Sequence, residues 1–239
     1  MINRKDLSLK LVKFLIMRIK AVLFDLDNTL IDFMRMKKLS CEAAIDAMID
    51  NGLRISRRKA LKTMFKLYDK YGWEYQKIFQ VFLKEVAGKI DYKIMAAGVV
   101  AYRRIKEGLL YSYPGVSHTL DELKRRGCKL AILSDAPRIQ VWVRLVAMGI
   151  QDKFDTVVTF DDTKRKKPDE KPFLFALKKL QTKAEECIMV GDSIDKDLKT
   201  AKKLGMVTVL AKYGQVGREE GEIDYRINGV NQLLAIVKL

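Results

Sequence analysis

Cysteine is scarce in this 239-residue chain, which carries only Cys41, Cys128 and Cys187. An odd and scattered set of three supports neither a disulfide framework nor a zinc site. The thiols are therefore expected to be small buried hydrophobes in a reducing compartment. Histidine is scarcer still: His118 stands alone, which excludes any multi-histidine metal centre. No apolar run approaches the roughly 18 residues needed to span a bilayer. A secretory leader needs a longer uninterrupted apolar core and a small-residue cleavage site, and the opening MINRKDLSLKLVKFLI has neither. Residues 1–16 are read as a basic amphipathic extension from an upstream start, with a surface helix as the alternative, and Met17 as the point where the domain begins.

What is present describes a globular protein. Hydrophobic residues make up 49% and charged residues 32%, and the length accommodates one α/β domain plus a smaller one. The net charge of +16 raises the possibility of a polyanionic partner. It is spread over two regions: residues 1–20 hold six Lys/Arg against one acid, and residues 33–112 hold seventeen against eight. No nucleic-acid-binding motif accompanies it, so solvated helix faces are the preferred reading and nucleic acid is not expected as a partner.

From Ala21 onward, short runs rich in Val, Ile and Leu alternate with stretches of helical period. AVLF (21–24), KLAILS (129–134), TVVT (156–159), CIMVG (187–191) and VTVLA (207–211) do not alternate with polar residues, as expected of parallel strands buried on both faces. Between them, VSHTLDELKRRG, RIQVWVRLVAMGI, KPFLFALKKLQ and DKDLKTAKKLG read as helices. This order predicts an α/β fold with a doubly wound, Rossmann-like parallel sheet. Residues 33–112 break the alternation, offering only helical runs, and are expected to form an inserted all-helical domain. The core is assigned to 17–32 and 113–239.

Parallel sheets bind ligands beyond the carboxyl ends of their strands. There the sequence places Asp25, Asp27 and Thr29 after the first strand, Ser134 and Asp135 after the second, and Gly191, Asp192, Ser193 and Asp197 after the fourth. Lys166-Lys167-Pro168-Asp169 precedes the helix after the third. Each has a bland explanation alone, as a cap, a turn or a solvated charge. Asp25 and Asp27 together need more, because carboxylates this close repel unless a cation, a proton or water offsets the cost.

On these residues the chain resembles the haloacid dehalogenase superfamily. Asp25-Leu26-Asp27-Asn28-Thr29 matches its D-x-D-x-T motif, Ser134 its second motif, Lys167-Pro168 its third, and Gly191 to Asp197 its fourth, G-D-S-x-x-x-D. The helical insertion corresponds to the superfamily's cap. Asp135 departs from the asparagine common in relatives, so its backbone N–H is the expected phosphate contact.

The resemblance implies a phosphatase chemistry. Asp25 would attack phosphorus and form an aspartyl-phosphate. Asp27 would protonate the leaving oxygen and then deprotonate water. Mg²⁺ would be held by Asp25, the Asp27 carbonyl and Asp192. Ser134, Asp135 and Lys167 would bind phosphate, while Thr29, Ser193 and Asp197 would support the site from behind. Asp27 favours a phosphatase over a dehalogenase, which needs no acid there. A phosphosugar mutase shares the dyad and stays open, as does a basic nucleic-acid-binding protein on the same fold. The implied substrate is a small phosphorylated metabolite in the cytoplasm, with no membrane association. Arg54, Arg57, Arg58 and Lys59 could face a second anionic group, though a solvated basic face is preferred.

Overall fold

The structure is a computed structural model that describes residues 19–217 and 219–237. The N-terminal extension considered above lies outside these residues. The described chain divides into two compact units: one holds the residues up to Asp32 and those from Ser112 onward, the other is Phe33–Tyr111.

The first unit is built on a six-stranded sheet: β1 (Ala21–Phe24), β2 (Lys129–Leu133), β3 (Thr156–Val158), β4 (Cys187–Gly191), β5 (Val207–Ala211) and β6 (Tyr225–Ile227). The order is β3-β2-β1-β4-β5-β6, and every adjacent pair is parallel. Every residue of β1 and of β4 is buried, as unbroken apolar runs require of strands covered on both faces. The doubly wound α/β architecture expected from the sequence is therefore present. β6 was not foreseen: YRI has three residues, and Arg226 is exposed, so no apolar run marks it.

In the second unit, α1 (Phe33–Asp50), α2 (Arg57–Tyr71), α3 (Ile78–Ala87) and α4 (Tyr92–Gly108) enclose their own core. Cys41, Ile45, Met48, Met64, Leu67, Phe79 and Phe82 are buried together there. The ammonium of Lys37, itself buried, lies 4.6 Å from the centre of the Tyr68 ring and 5.6 Å from that of Tyr102, a cation–π arrangement. The basic cluster at the start of α2 lies on the surface. There Arg57 donates to Asp46 at 2.6 Å and lies 3.5 Å from Glu42.

Returning to the first unit, α5 (Val116–Arg125), α6 (Arg138–Ala147), α7 (Phe160–Thr163), α8 (Glu170–Leu180), α9 (Lys199–Lys203) and α10 (Leu233–Ile236) complete the sheet layers. Phe173, Ala176 and Leu177 of α8 pack in one cluster with Leu23, Leu133 and Met189 of the central strands. The run DKDLKTAKKLG, expected as a single helix, begins instead as a π-helical turn, Ile194–Leu198, that leads into α9. All three cysteines are buried and unbridged, and His118 is exposed. Among the described residues, no helix is long and apolar enough to cross a membrane.

Candidate active site

β1 is the pivot of the sheet, with β2 on one side and β4 on the other. Chain direction across the sheet reverses here, which opens a crevice at the carboxyl ends of these strands. The Asp25 N–H extends the ladder by donating to the Val190 carbonyl at 2.9 Å. The chain then turns sharply: the Leu26 carbonyl accepts from Leu30 N–H at 2.9 Å, and the Asn28 N–H donates to Ile31 O at 2.7 Å. Asn28 adopts a left-handed conformation, φ 63°, which asparagine tolerates better than most side chains. The fold-back brings the Thr29 hydroxyl to Asp25 Oδ2, 3.3 Å away. A second loop braces the turn. The Tyr213 hydroxyl donates to the Thr29 carbonyl at 2.8 Å, and a Cβ on Gly214 would stand 1.5 Å from the Asn28 carbonyl oxygen, so only glycine fits there.

Lys167 is the centre of charge. Its buried ammonium reaches Asp25 Oδ1 at 2.5 Å, Asp197 Oδ1 at 2.7 Å and the Leu133 carbonyl at 2.8 Å. Burial alone would strip its proton, but Asp197, Asp25 and Asp135 together outweigh that effect and hold the ammonium well above the ordinary lysine range. Asp135 turns its carboxylate onto the Lys167 backbone N–H, 2.9 Å away. Ser134 accepts from the Ala136 N–H at 3.2 Å through its hydroxyl.

Asp197 approaches the end of β4 so closely that a Cβ on Gly191 would lie 2.5 Å from its Oδ2. Its carboxylate also accepts from the Ser193 N–H at 3.2 Å. Carboxylate oxygens of Asp25, Asp192 and Asp197 lie within 4.8 Å of one another. Burial, then the charges of Asp25 and Asp197, push Asp192 above the ordinary carboxylate range. Asp197 is raised as well, by burial first and by Asp25, against the pull of Lys167. Such a set of hard oxygen donors, costly to ionise together, could hold a divalent metal ion. The sequence reading gave Asp197 only a supporting role, yet its oxygen stands inside this cluster. Thr29, Ser134, Asp135, Lys167 and Asp192 are all brought to the same sheet edge, and Asp27 lies in the turn beside Asp25.

Two participants escaped the sequence reading. Arg144 of α6, 2% exposed, donates from Nη1 to Asp27 Oδ2 at 2.9 Å. Its signal was a lone arginine inside the apolar run VWVRLVA. Glu219 accepts from the Ser193 hydroxyl at 3.0 Å and the Asp195 N–H at 3.1 Å, and also from the Ile194 N–H. It thereby caps the turn that carries Asp197, and nothing in its polar surroundings marked it.

Comparison with known proteins agrees with this geometry. Residues 19–205 match the family model for haloacid dehalogenase-like hydrolases. A glyceraldehyde 3-phosphate phosphatase of Methanocaldococcus jannaschii is 39% identical over 222 residues, 92% of this chain and 97% of the relative. A pyrophosphatase PpaX of Bacillus velezensis is 32% identical over 92% of this chain and 96% of its own. The crystal structure of a phosphatase of the same superfamily from Thermococcus onnurineus superimposes with a TM-score of 0.68 at 29% identity, covering 91% of this chain and 97% of that one. The chain belongs to the haloacid dehalogenase-like hydrolase family. Within that family it is an enzyme of the phosphatase type.

Proposed function

We propose that this protein is a Mg²⁺-dependent phosphohydrolase that cleaves a small phosphate monoester in the cytoplasm through an aspartyl-phosphate on Asp25. The observation that carries the reading is the pair of aspartates at the end of β1, with Asp25 engaged by Lys167 and Thr29 and Asp27 engaged by Arg144. A triose phosphate, the substrate class named for the M. jannaschii relative, is the first candidate.

Asp25, the Asp27 carbonyl and Asp192 would hold the metal, with Asp197 beside them. When bound, the metal supplies positive charge that offsets the clustered carboxylates and the phosphoryl oxygens. An oxygen of Asp25 attacks phosphorus as the bond to the leaving oxygen breaks, and the carboxyl proton of Asp27 passes to that oxygen. Asp27 then takes a proton from water as the water oxygen bonds to phosphorus, and the bond to Asp25 breaks to release phosphate. Lys167 contributes fixed positive charge toward the phosphoryl oxygens, the Ser134 hydroxyl a hydrogen bond and Asp135 its backbone N–H. The Phe33–Tyr111 unit serves as the cap. The test is phosphate release from glyceraldehyde 3-phosphate, phosphoglycolate, sugar phosphates, nucleotides and an aryl phosphate, with Mg²⁺ and with chelator. One dominant substrate and loss of turnover in chelator are expected. Undiminished turnover in chelator, or no phosphate from any of these compounds, would contradict the reading.

A further inference from the structure

Helix α6 buries Val141, Arg144 and Leu145 and exposes Ile139 and Val146 to solvent, at 67% and 60%. The spacing i, i+3, i+4 marks one face of a helix, and on this chain that face carries an arginine between two aliphatic residues. Placing a guanidinium there is costly unless it is paired. Its partner is Asp27, across 117 residues of sequence, through Nη1 and Oδ2 at 2.9 Å. A long-range pair of this kind fixes the carboxylate from a rigid element rather than from the turn that carries it.

The chemistry of the donor adds a constraint. Guanidinium nitrogens only donate hydrogen bonds, so the Asp27 oxygen bound to Arg144 must accept whether the carboxyl is protonated or ionised. We propose that Arg144 is the positioning residue of the reaction: from α6 it holds the Asp27 carboxylate in place for its part in the reaction. The inference rests on the acid/base reading of Asp27 and goes beyond it, because the role belongs to a helix outside the four motifs.

The test compares Arg144→Lys, Arg144→Met and Asp27→Asn with the parent protein, each first checked for folding by circular dichroism and thermal unfolding. kcat/KM is measured on an alkyl phosphate, whose leaving oxygen needs a proton, and on p-nitrophenyl phosphate, whose leaving group does not. Misplacement of a catalytic group costs up to about 100-fold, so Arg144→Met is expected to lower the alkyl value about 10- to 100-fold more than the aryl value. Added guanidinium ion should restore part of the alkyl activity of Arg144→Met and none of that of Asp27→Asn. Arg144→Lys, which keeps a donor at shorter reach, should fall between. If Asp27→Asn discriminates between the substrates while neither folded Arg144 variant does, Arg144 is structural and the inference is overturned alone. If Asp27→Asn fails to discriminate, the acid/base reading falls and the role of Arg144 falls with it. Should Arg144→Met not fold, Arg144→Lys decides the matter by the same ratio.

Discussion

At the scale of single residues, charge balance governs the site. Lys167 is 2% exposed and pairs with two carboxylates that are themselves buried. Removing one partner of a buried ion pair leaves charges that water cannot reach, at a cost of about 3–5 kcal/mol. Lys167→Met should therefore lower the unfolding free energy by roughly that amount in chelator, read from urea denaturation. It should also reduce kcat/KM by about 100-fold or more, because a preorganised positive charge beside the phosphoryl oxygens is gone. A Lys167→Met protein of parental stability and activity would show that the cluster is neutralised by some other means. Ser134 and Asp135 act differently. Their side chains are turned to the backbone at Ala136 and Lys167, which shapes the loop that carries the Asp135 N–H, while the Ser134 N–H is paired with the Val158 carbonyl at 2.9 Å.

At the scale of elements, legibility followed burial. β1, β2, β4 and β5 were readable because strands covered on both faces cannot afford polar residues, and their runs stand out against charged helices. The motif residues were readable because sheet topology gathers strand ends at one edge, so that position in sequence predicts position in space. β6 was hidden because three residues at the margin of the sheet carry one exposed arginine. The π-helical turn at Ile194–Leu198 was hidden because its period differs from an α-helix only through the hydrogen bonds it makes. There the Ser193 carbonyl accepts from both the Asp197 and Leu198 N–H groups, at 3.0 and 3.3 Å. Arg144 and Glu219 belong to the same class. Their partners lie 117 and 26 residues away, and no local pattern encodes a contact of that range.

At the scale of the whole molecule, the site opposes the stability of its own fold. Asp192 and Asp197 are held above the ordinary aspartate range, so the folded state binds more protons than the unfolded chain over that interval. By linkage, this makes stability fall as pH rises from the ordinary aspartate range towards the raised values. In chelator, the thermal midpoint should decline over this window. Added Mg²⁺ should raise the midpoint by a margin that grows with pH, because binding to the folded state requires the ionised carboxylates. A Mg²⁺ shift that is absent, or that shrinks with rising pH, would contradict the assignment of the acidic cluster to a metal. The central claim is that Asp25 is the nucleophile and Asp27 the acid and base, and one experiment separates them. With p-nitrophenyl phosphate, Asp27→Asn should give a burst of nitrophenolate, a slow steady state, and phosphate bound covalently to the protein by intact mass. Asp25→Asn should give neither burst nor adduct. A burst or adduct with Asp25→Asn, or the absence of both with folded Asp27→Asn, would contradict the account.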